Sequence, residues 1–574
     1  MPRRSMRFLA TPCLVAALFT PVSLNAQAPT TAQSSRRPNV IIILADDMGF
    51  SDIGCYGGEI HTPALDQLAR EGVRFTQFYN MARCCPTRAS ILTGLYPHQT
   101  GLGHMNQNHG RPGYEGELND HCVTIAEALR QSGYRTGMVG KWHLCRLNIA
   151  RAPGEQQKAM LAFENDTPIS PSTDNWPTHR GFEEFWGTIP GVDSFYDPYG
   201  LVHNDEPIRP DRADFYYTDF ITDHTIEMID RYARDENPFF LYVAYTAPHW
   251  PMQARDEDIK RYSDTYKVGW DAIREERFSR LIELGMVKKE WGLSPRASAK
   301  SLNDGASAVG PWEDAKAKDW QAQRMAVYAG MIECMDRGVG RIAATLRKAG
   351  IDDNTLIVFL SDNGACQENV RPEWYDIPDR TRDGRKIHVG NRPEHAPGPE
   401  TVYQSYGPAW ANASNTPFRR FKHFTEEGGI SAPCIVRWPA GRLEPGRIEK
   451  KHVGNVLDLM PTILAAAGAI YPKDYQGRPI PPAEGRNLLP VLRGTPSFDR
   501  GALCWEHEGN RAVRIGDWKL VAPHREPWRL YHMTEDRTEL HDVAKDHLEK
   551  VAELKAAYEA WANRCGVQPW PIRQ

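Results

Sequence analysis

Residues 38–45, Pro-Asn-Val-Ile-Ile-Ile-Leu-Ala, form an apolar, largely β-branched run with no polar alternation. A strand with one wet face alternates and a strand buried on both faces does not, so this run predicts a parallel sheet covered by helices. It ends in Asp46-Asp47. Residues 134–139 likewise run into Gly140-Lys141-Trp142-His143, residues 239–244 deliver Ala247-Pro248-His249, and residues 355–360 deliver Ser361-Asp362-Asn363-Gly364. Helical patterns over 123–131 and 325–349, and one opened by Thr62-Pro63 and closed by Gly72, separate these strands. In doubly wound α/β sheets ligands sit outside the carboxyl ends of the strands, so residues far apart in sequence are expected to meet in one crevice.

With 574 residues the chain exceeds one ordinary core. The αβ pattern, with a further apolar run at 433–438, stops near 494. Beyond it, short strands at 502–505, 512–515, 518–521 and 529–531 and a helix at 547–562 predict a small antiparallel sheet with one helix. The expected organisation is therefore a large domain over 38–494 and a smaller one over 495–574. Residues 255–300 are charge-rich and read as a helical insertion over the site or a solvated surface. Residues 367–406, rich in Pro, Gly and charge, read as a long loop able to form a rim for substrate selection.

The formal charge of −4, from 69 basic and 73 acidic residues, leaves no overall basic footprint for nucleic acid, so affinity for an anion has to be local. The N-terminus joins Arg3, Arg4 and Arg7 to an apolar run over 8–24 and then Asn25-Ala26-Gln27-Ala28, the three parts of a secretory signal peptide, with cleavage after Ala26 or Ala28. No later stretch reaches the roughly 20 apolar residues of a membrane span. An exported protein, periplasmic or secreted, is expected, with residues 1–28 as signal and leader. Eleven cysteines, one of them in that signal, are scattered singly and give no disulfide framework; one or two bridges stay open.

The stretch Cys84-Cys85-Pro86-Thr87-Arg88-Ala89-Ser90-Ile91-Leu92-Thr93-Gly94 reads as a short helix with Cys84 at its N-terminal mouth. Backbone N–H groups there, with Arg88 one turn on, suit a tetrahedral oxyanion held against Cys84. Asp46, Asp47, Asp362 and Asn363 offer oxygen ligands from two strand ends, a set for Ca²⁺ or Mg²⁺ and not for zinc.

The cysteine string resembles the signature of type I sulfatases of the alkaline phosphatase superfamily. Gly140-Lys141-Trp142-His143, Ala247-Pro248-His249 and Asn415 through Lys422 to Gly429 resemble further segments of that family in the same order. Cys145 departs from it, standing where the family often has Gly. The resemblance implies an alkaline-phosphatase-like fold, a large mixed and mostly parallel sheet between helices. It also implies conversion of Cys84 to formylglycine by a maturation enzyme, and one Ca²⁺ held by Asp46, Asp47, Asp362 and Asn363 beside residue 84, itself part of the metal set. It further implies sulfate ester hydrolysis on an aryl or glycan substrate. One hydroxyl of the hydrated aldehyde attacks sulfur, His249 or Lys422 protonates the leaving alcohol, and His143 takes the proton of the second hydroxyl so that sulfate leaves. Arg88, Lys141 and Lys422 surround the sulfuryl oxygens. One preorganised donor lowers a barrier by roughly 3–4 kcal/mol, against the roughly 8–23 an enzyme supplies, so several are needed. A phosphomonoester or phosphodiester hydrolase of the same superfamily is the alternative reaction, and a sulfated-glycan binder on an inactive fold the alternative class.

Overall fold

The computed structural model describes residues 37–572 apart from 148–157, 159–160, 165–167, 211, 300–307, 375–376 and 496–498. The signal segment expected at 1–28 lies outside the described residues. At the centre are five parallel strands in the order Thr355–Ser361, Asn39–Ala45, Phe239–Ala244, Arg135–Lys141 and Glu184–Thr188. Cys434–Arg437 pairs antiparallel beside Thr355–Ser361 and is followed by Val73–Phe75 and Arg447–Glu449, while Leu201–His203 and Glu206–Pro207 close the other edge. The result is a ten-stranded sheet, mixed and mostly parallel as expected.

The unbroken apolar run of the first strand has a direct cause. Val40, Ile42 and Leu44 enter one core, and Ile41, Ile43 and Ala45 enter the other. Each large aliphatic side chain so buried stabilises the fold by roughly 1.5–3 kcal/mol relative to exposure, and a polar residue on either face would lose that. Helices Pro63–Glu71, Tyr217–Tyr232 and Lys318–Lys348 cover the second core, and Cys84–Thr93, Ile125–Gln131 and Leu459–Ala467 the first. The strand carboxyl ends therefore open between two helical layers, with Cys84 at a helix start on that side.

Past residue 494 the expected antiparallel sheet forms from Ala502–His507, Asn510–Ile515, Trp518–Ala522 and Arg529–His532, with helix Leu548–Cys565 packed on it. Its Leu503, Val513, Leu520 and Leu554 join the same core as Val40 and Ile91.

Three regions differ in detail from the sequence reading. The helix expected at 325–349 begins earlier, at Lys318, because its polar first turns still carry the inward-facing Ala322 and Arg324. The charge-rich stretch over 255–299 is helical, as read, but only one side of it is solvated: Asp256, Glu257, Glu275 and Glu276 are exposed, while Arg274 and Arg277 are buried. It holds helices Asp256–Lys260 and Trp270–Glu283, and the fully buried Arg277 pairs with Asp52 at 2.6 Å and Glu59 at 2.7 Å. Residues 367–406 are mainly loop, with one short parallel pair, His388–Val389 against Val402–Tyr403. The ten described cysteines are all free and buried, so the bridges left open do not form among them. No described helix is long and apolar enough to cross a membrane.

Candidate active site and metal centre

Helix Cys84–Thr93 is buried along its whole length and ends at Gly94, whose φ of 69° is a left-handed cap. Its N-cap, Arg83, makes no side-chain capping bond, so the helix mouth stays open toward Cys84. Every residue predicted for the site is buried at the same crevice: Asp46, Asp47, Cys84, Arg88, Lys141, His143, His249, Asp362, Asn363 and Lys422.

Two carboxylate-centred clusters organise them. In the first, Asp46 Oδ2 accepts from Lys141 Nζ at 2.6 Å and lies 3.4 Å from Arg88 Nη2. Arg88 donates to Asp362 Oδ2 from Nε at 3.0 Å and Nη2 at 2.8 Å, and Nη1 donates to the Lys141 carbonyl at 3.0 Å. In the second, Asp47 Oδ2 accepts from Lys422 Nζ at 2.9 Å and lies 3.2 Å from His249 Nε2, while Asp47 Oδ1 accepts from Asn363 Nδ2 at 2.6 Å. The Asp47 N–H donates to Asp362 Oδ1 at 3.2 Å and ties the clusters together. His249 Nδ1 donates to the Trp250 carbonyl at 2.6 Å, which leaves Nε2 facing Lys422 and Asp47. His143 Nδ1 stands 3.7 Å from Cys84 Sγ. Asp47 and His143 both have positive φ, 65° and 60°, a strained backbone that the packed surroundings hold.

The electrostatics follow from burial against neighbouring charge. For Asp46, burial alone would raise the pKa, but Lys141, His249 and Arg88 outweigh it and hold the carboxyl at about 2. Asp362 goes the other way, pushed well above the usual range by burial and by the Asp46 charge despite Arg88. The Cys84 thiol is held well below its ordinary value by the adjacent Cys85 thiol and, against burial, by Lys141 and His143. Burial with Lys141 and Arg88 nearby lowers His143 to about 4.

The donor set fits a hard divalent cation. Asp46 Oδ1 and Asn363 Oδ1 are buried acceptors without a donor, which a cation satisfies, and two acidic side chains crowded by burial are the arrangement it relieves. Asp46, Asp47 and His249 also place ligand atoms within 4.8 Å of one another, as do Cys84, Cys85 and His143.

A cavity of about 670 Å³ opens above Cys84, His143, His249 and Lys422. Its walls also hold Trp250, next to His249 at its strand end, and residues that sequence reasoning did not single out individually: Arg83, His104, Glu368, Trp374 and Glu508. Glu368 and Trp374 come from the 367–406 loop, which thus contributes to the cavity rim as expected, whereas Arg83, His104 and Glu508 lie outside the strand ends of the main sheet, so the pattern that exposed the other residues was silent about them.

Comparison with known proteins agrees with this geometry. The sulfatase family model matches residues 38–469, and the model described as N-sulphoglucosamine sulphohydrolase, C-terminal, matches 419–561. An uncharacterized sulfatase of Schizosaccharomyces pombe is 32% identical over 567 residues, spanning 92% of this chain and 94% of that protein. An arylsulfatase of Klebsiella aerogenes is 32% identical over 493 residues, 83% of this chain and 96% of its own. The crystal structure of Ps i-CgsB in complex with k-i-k-neocarrahexaose superposes with a TM-score of 0.63 at 25% identity, covering 92% of this chain and 93% of that one. Sequence, strand-end geometry and kinship agree, and the chain belongs to the sulfatase family, whose members hydrolyse sulfuric esters.

Proposed function

We propose that this sulfatase acts with residue 84 as formylglycine, made from Cys84 by a maturation enzyme, and with Ca²⁺ held by Asp46, Asp47, Asp362 and Asn363 beside residue 84. The observation that carries this reading is the placement of Cys84 at an open helix mouth, facing the cavity with His143 at 3.7 Å. Hydrated formylglycine would supply a nucleophilic hydroxyl and a second hydroxyl whose ionisation releases sulfate, and the cation would neutralise charge on the sulfuryl oxygens.

The chain's own residues do the rest. Arg88, Lys141 and Lys422 bring three buried positive charges to one tetrahedral group, each already oriented by a carboxylate. His143 Nδ1 is placed to take a proton from a hydroxyl on residue 84. His249 Nε2 and Lys422 Nζ, 3.3 Å apart, stand at the cavity side to protonate the departing alcohol. Cys84, Arg88, Lys141, His143, His249 and Lys422 thus take the catalytic roles.

The substrate is a sulfate ester of an aryl alcohol or a sugar. Trp250 and Trp374, with ring centroids 5.1 Å apart and planes tilted by 51°, offer an apolar aromatic wall, and Asn106, Gln107 and Asn108 offer hydrogen-bonding groups on the same cavity. The kinship to an arylsulfatase and to a carrahexaose-bound structure supports both classes. The N-terminal charge and apolar pattern supports export to the periplasm or medium, where the maturation enzyme's product would act.

Peptide mass spectrometry across residue 84 of active protein tests the reading. Formylglycine is expected; an unmodified thiol in fully active protein would sink it. A higher kcat/KM for aryl phosphate than for aryl sulfate would move the reaction to phosphoryl transfer.

A further inference from the structure

Outside the oxygen-rich centre, a second constellation joins the catalytic body to the C-terminal hairpin. Glu508 sits at the turn between strands Ala502–His507 and Asn510–Ile515, and its carboxylate faces three imidazoles. Its Oε1 is 3.0 Å from His104 Nε2 and 3.8 Å from His507 Nε2, and its Oε2 is 3.0 Å from His423 Nδ1. His423, His507 and Glu508 place ligand atoms within 4.8 Å of one another.

An independent observation points to a ligand. His507 is fully buried, and neither of its ring nitrogens has a hydrogen-bond partner. A buried imidazole so placed loses the bonds it had in water unless something else fills the position. Its Nε2 points into the cluster, 3.8 Å from Glu508, too far for a hydrogen bond and close to the spacing of two ligands on one ion. Tetrahedral zinc with bonds of about 2.0–2.1 Å sets its ligand atoms roughly 3.3 Å apart. The separations of 3.0 Å from Glu508 to His423 and 3.8 Å to His507 straddle that value.

The surrounding groups are those that orient metal-bound histidines. His104 Nε2 donates to Glu508 Oε1 at 3.0 Å while its Nδ1 meets His109 Nε2 at 3.0 Å, so His104 orients the carboxylate from outside the ligand set. His423 Nε2 faces Glu368 Oε1 at 3.4 Å, a carboxylate–histidine contact that takes the proton on Nε2 and leaves Nδ1 toward Glu508, and Arg83 holds Glu368 in turn at 3.0 Å. The His423 backbone is held at a φ of 81°, uncommon for any residue with a side chain.

We propose that His423, His507 and Glu508 form a second metal site, an N₂O set for a zinc-class divalent ion with its fourth position left to solvent, which fastens the C-terminal hairpin to the wall of the catalytic cavity. Imidazole ligands favour zinc over calcium, so the two centres are chemically distinct. The site does not depend on the identity of the catalytic group at residue 84.

The test uses the full chain carrying Cys84→Ser, saturated with Ca²⁺, so that neither the thiol pair nor the oxygen set competes for the probe. After dialysis against a weak chelator, Co²⁺ and Zn²⁺ are titrated in while visible absorption, bound-metal content and thermal stability are followed. One equivalent of Co²⁺ with a tetrahedral spectrum lacking sulfur charge-transfer bands is expected, displaced by Zn²⁺, with a rise in Tm. His423→Gln and Glu508→Gln should each weaken binding at least tenfold while far-UV circular dichroism shows the fold intact. Absence of binding in the Cys84→Ser protein, or binding that neither folded variant weakens, overturns the proposal.

Discussion

Lys422 and Asp47, 375 positions apart in the chain, are in contact at 2.9 Å between Nζ and Oδ2, and both side chains are buried. Burial alone would lower the lysine pKa, but Asp47 more than compensates and holds it well above the ordinary value. Lys422 thereby keeps its charge at the edge of the cavity, next to His249 Nε2.

Removing that charge should affect poor leaving groups most. For Lys422→Met we expect kcat to fall about 10²–10³-fold on alkyl or sugar sulfates, the range for a lost acid or oxyanion donor, and much less on nitrophenyl sulfate. A plot of log kcat/KM against leaving-group pKa should steepen. An unchanged slope would remove Lys422 from proton donation and leave that role to His249.

Gly191 tests the placement of His143. A Cβ there would lie 2.2 Å from His143 Cε1 and 2.3 Å from Nε2, so even alanine has to push the imidazole aside. Because His143 faces residue 84 and not the outer cavity wall, Gly191→Ala should lower kcat about 10²-fold with KM changed little. Steady-state kinetics beside a thermal melt separates this from loss of fold.

Removal of the hard cation should show in stability as well as activity. Buried Asp46 Oδ1 and Asn363 Oδ1 have no donor in the protein. Chelation is expected to abolish turnover and lower Tm, and Ca²⁺ at about 100 times its Kd should restore about 2.7 kcal/mol. Asp362→Asn and Asn363→Ala should blunt the Tm response to added Ca²⁺. A Tm insensitive to chelator would place the cation elsewhere.

A buried charge cluster between the large sheet and the C-terminal sheet should set the pH dependence of stability. Lys519 Nζ pairs with Glu427 Oε1 at 2.9 Å and Glu539 Oε1 at 2.8 Å, and Glu427 Oε2 also accepts from Arg537 at 2.8 Å. Burial would raise both acids, but Lys519, Arg537 and Arg514 hold Glu427 at about 2. Burial, with Glu427 and Glu426 nearby, prevails at Glu539 and raises it to about 7. Glu427 therefore contributes stability that is present above about pH 4.3 and lost toward pH 2. Glu539 contributes stability that is full below about pH 4.3 and lost as pH rises through about 7. Glu539→Gln should flatten the decline in Tm between pH 4.5 and 7 that wild type shows, and a melt series over that window checks it.

The sequence by itself determined the strands and their polar ends. A run such as Val40–Leu44, apolar at successive positions, has few alternatives to a strand buried on both faces, and Asp46, Lys141, His249 and Asp362 follow such runs directly. Local chemistry likewise marked the Cys84 helix and its Gly94 stop, and the small C-terminal sheet was legible from its turn residues. Tertiary structure alone decided which groups touch. Nothing local says that Lys422 reaches Asp47 or that Arg88 spends two donors on Asp362, because those pairings depend on strand order and on the crossing of distant loops. The same holds for Glu368 in a long loop and for His104, His423, His507 and Glu508, drawn from three separate stretches with no shared pattern. Periodicity reports burial along a segment, whereas a site that gathers loops and a hairpin turn exists only once non-local packing has brought them together.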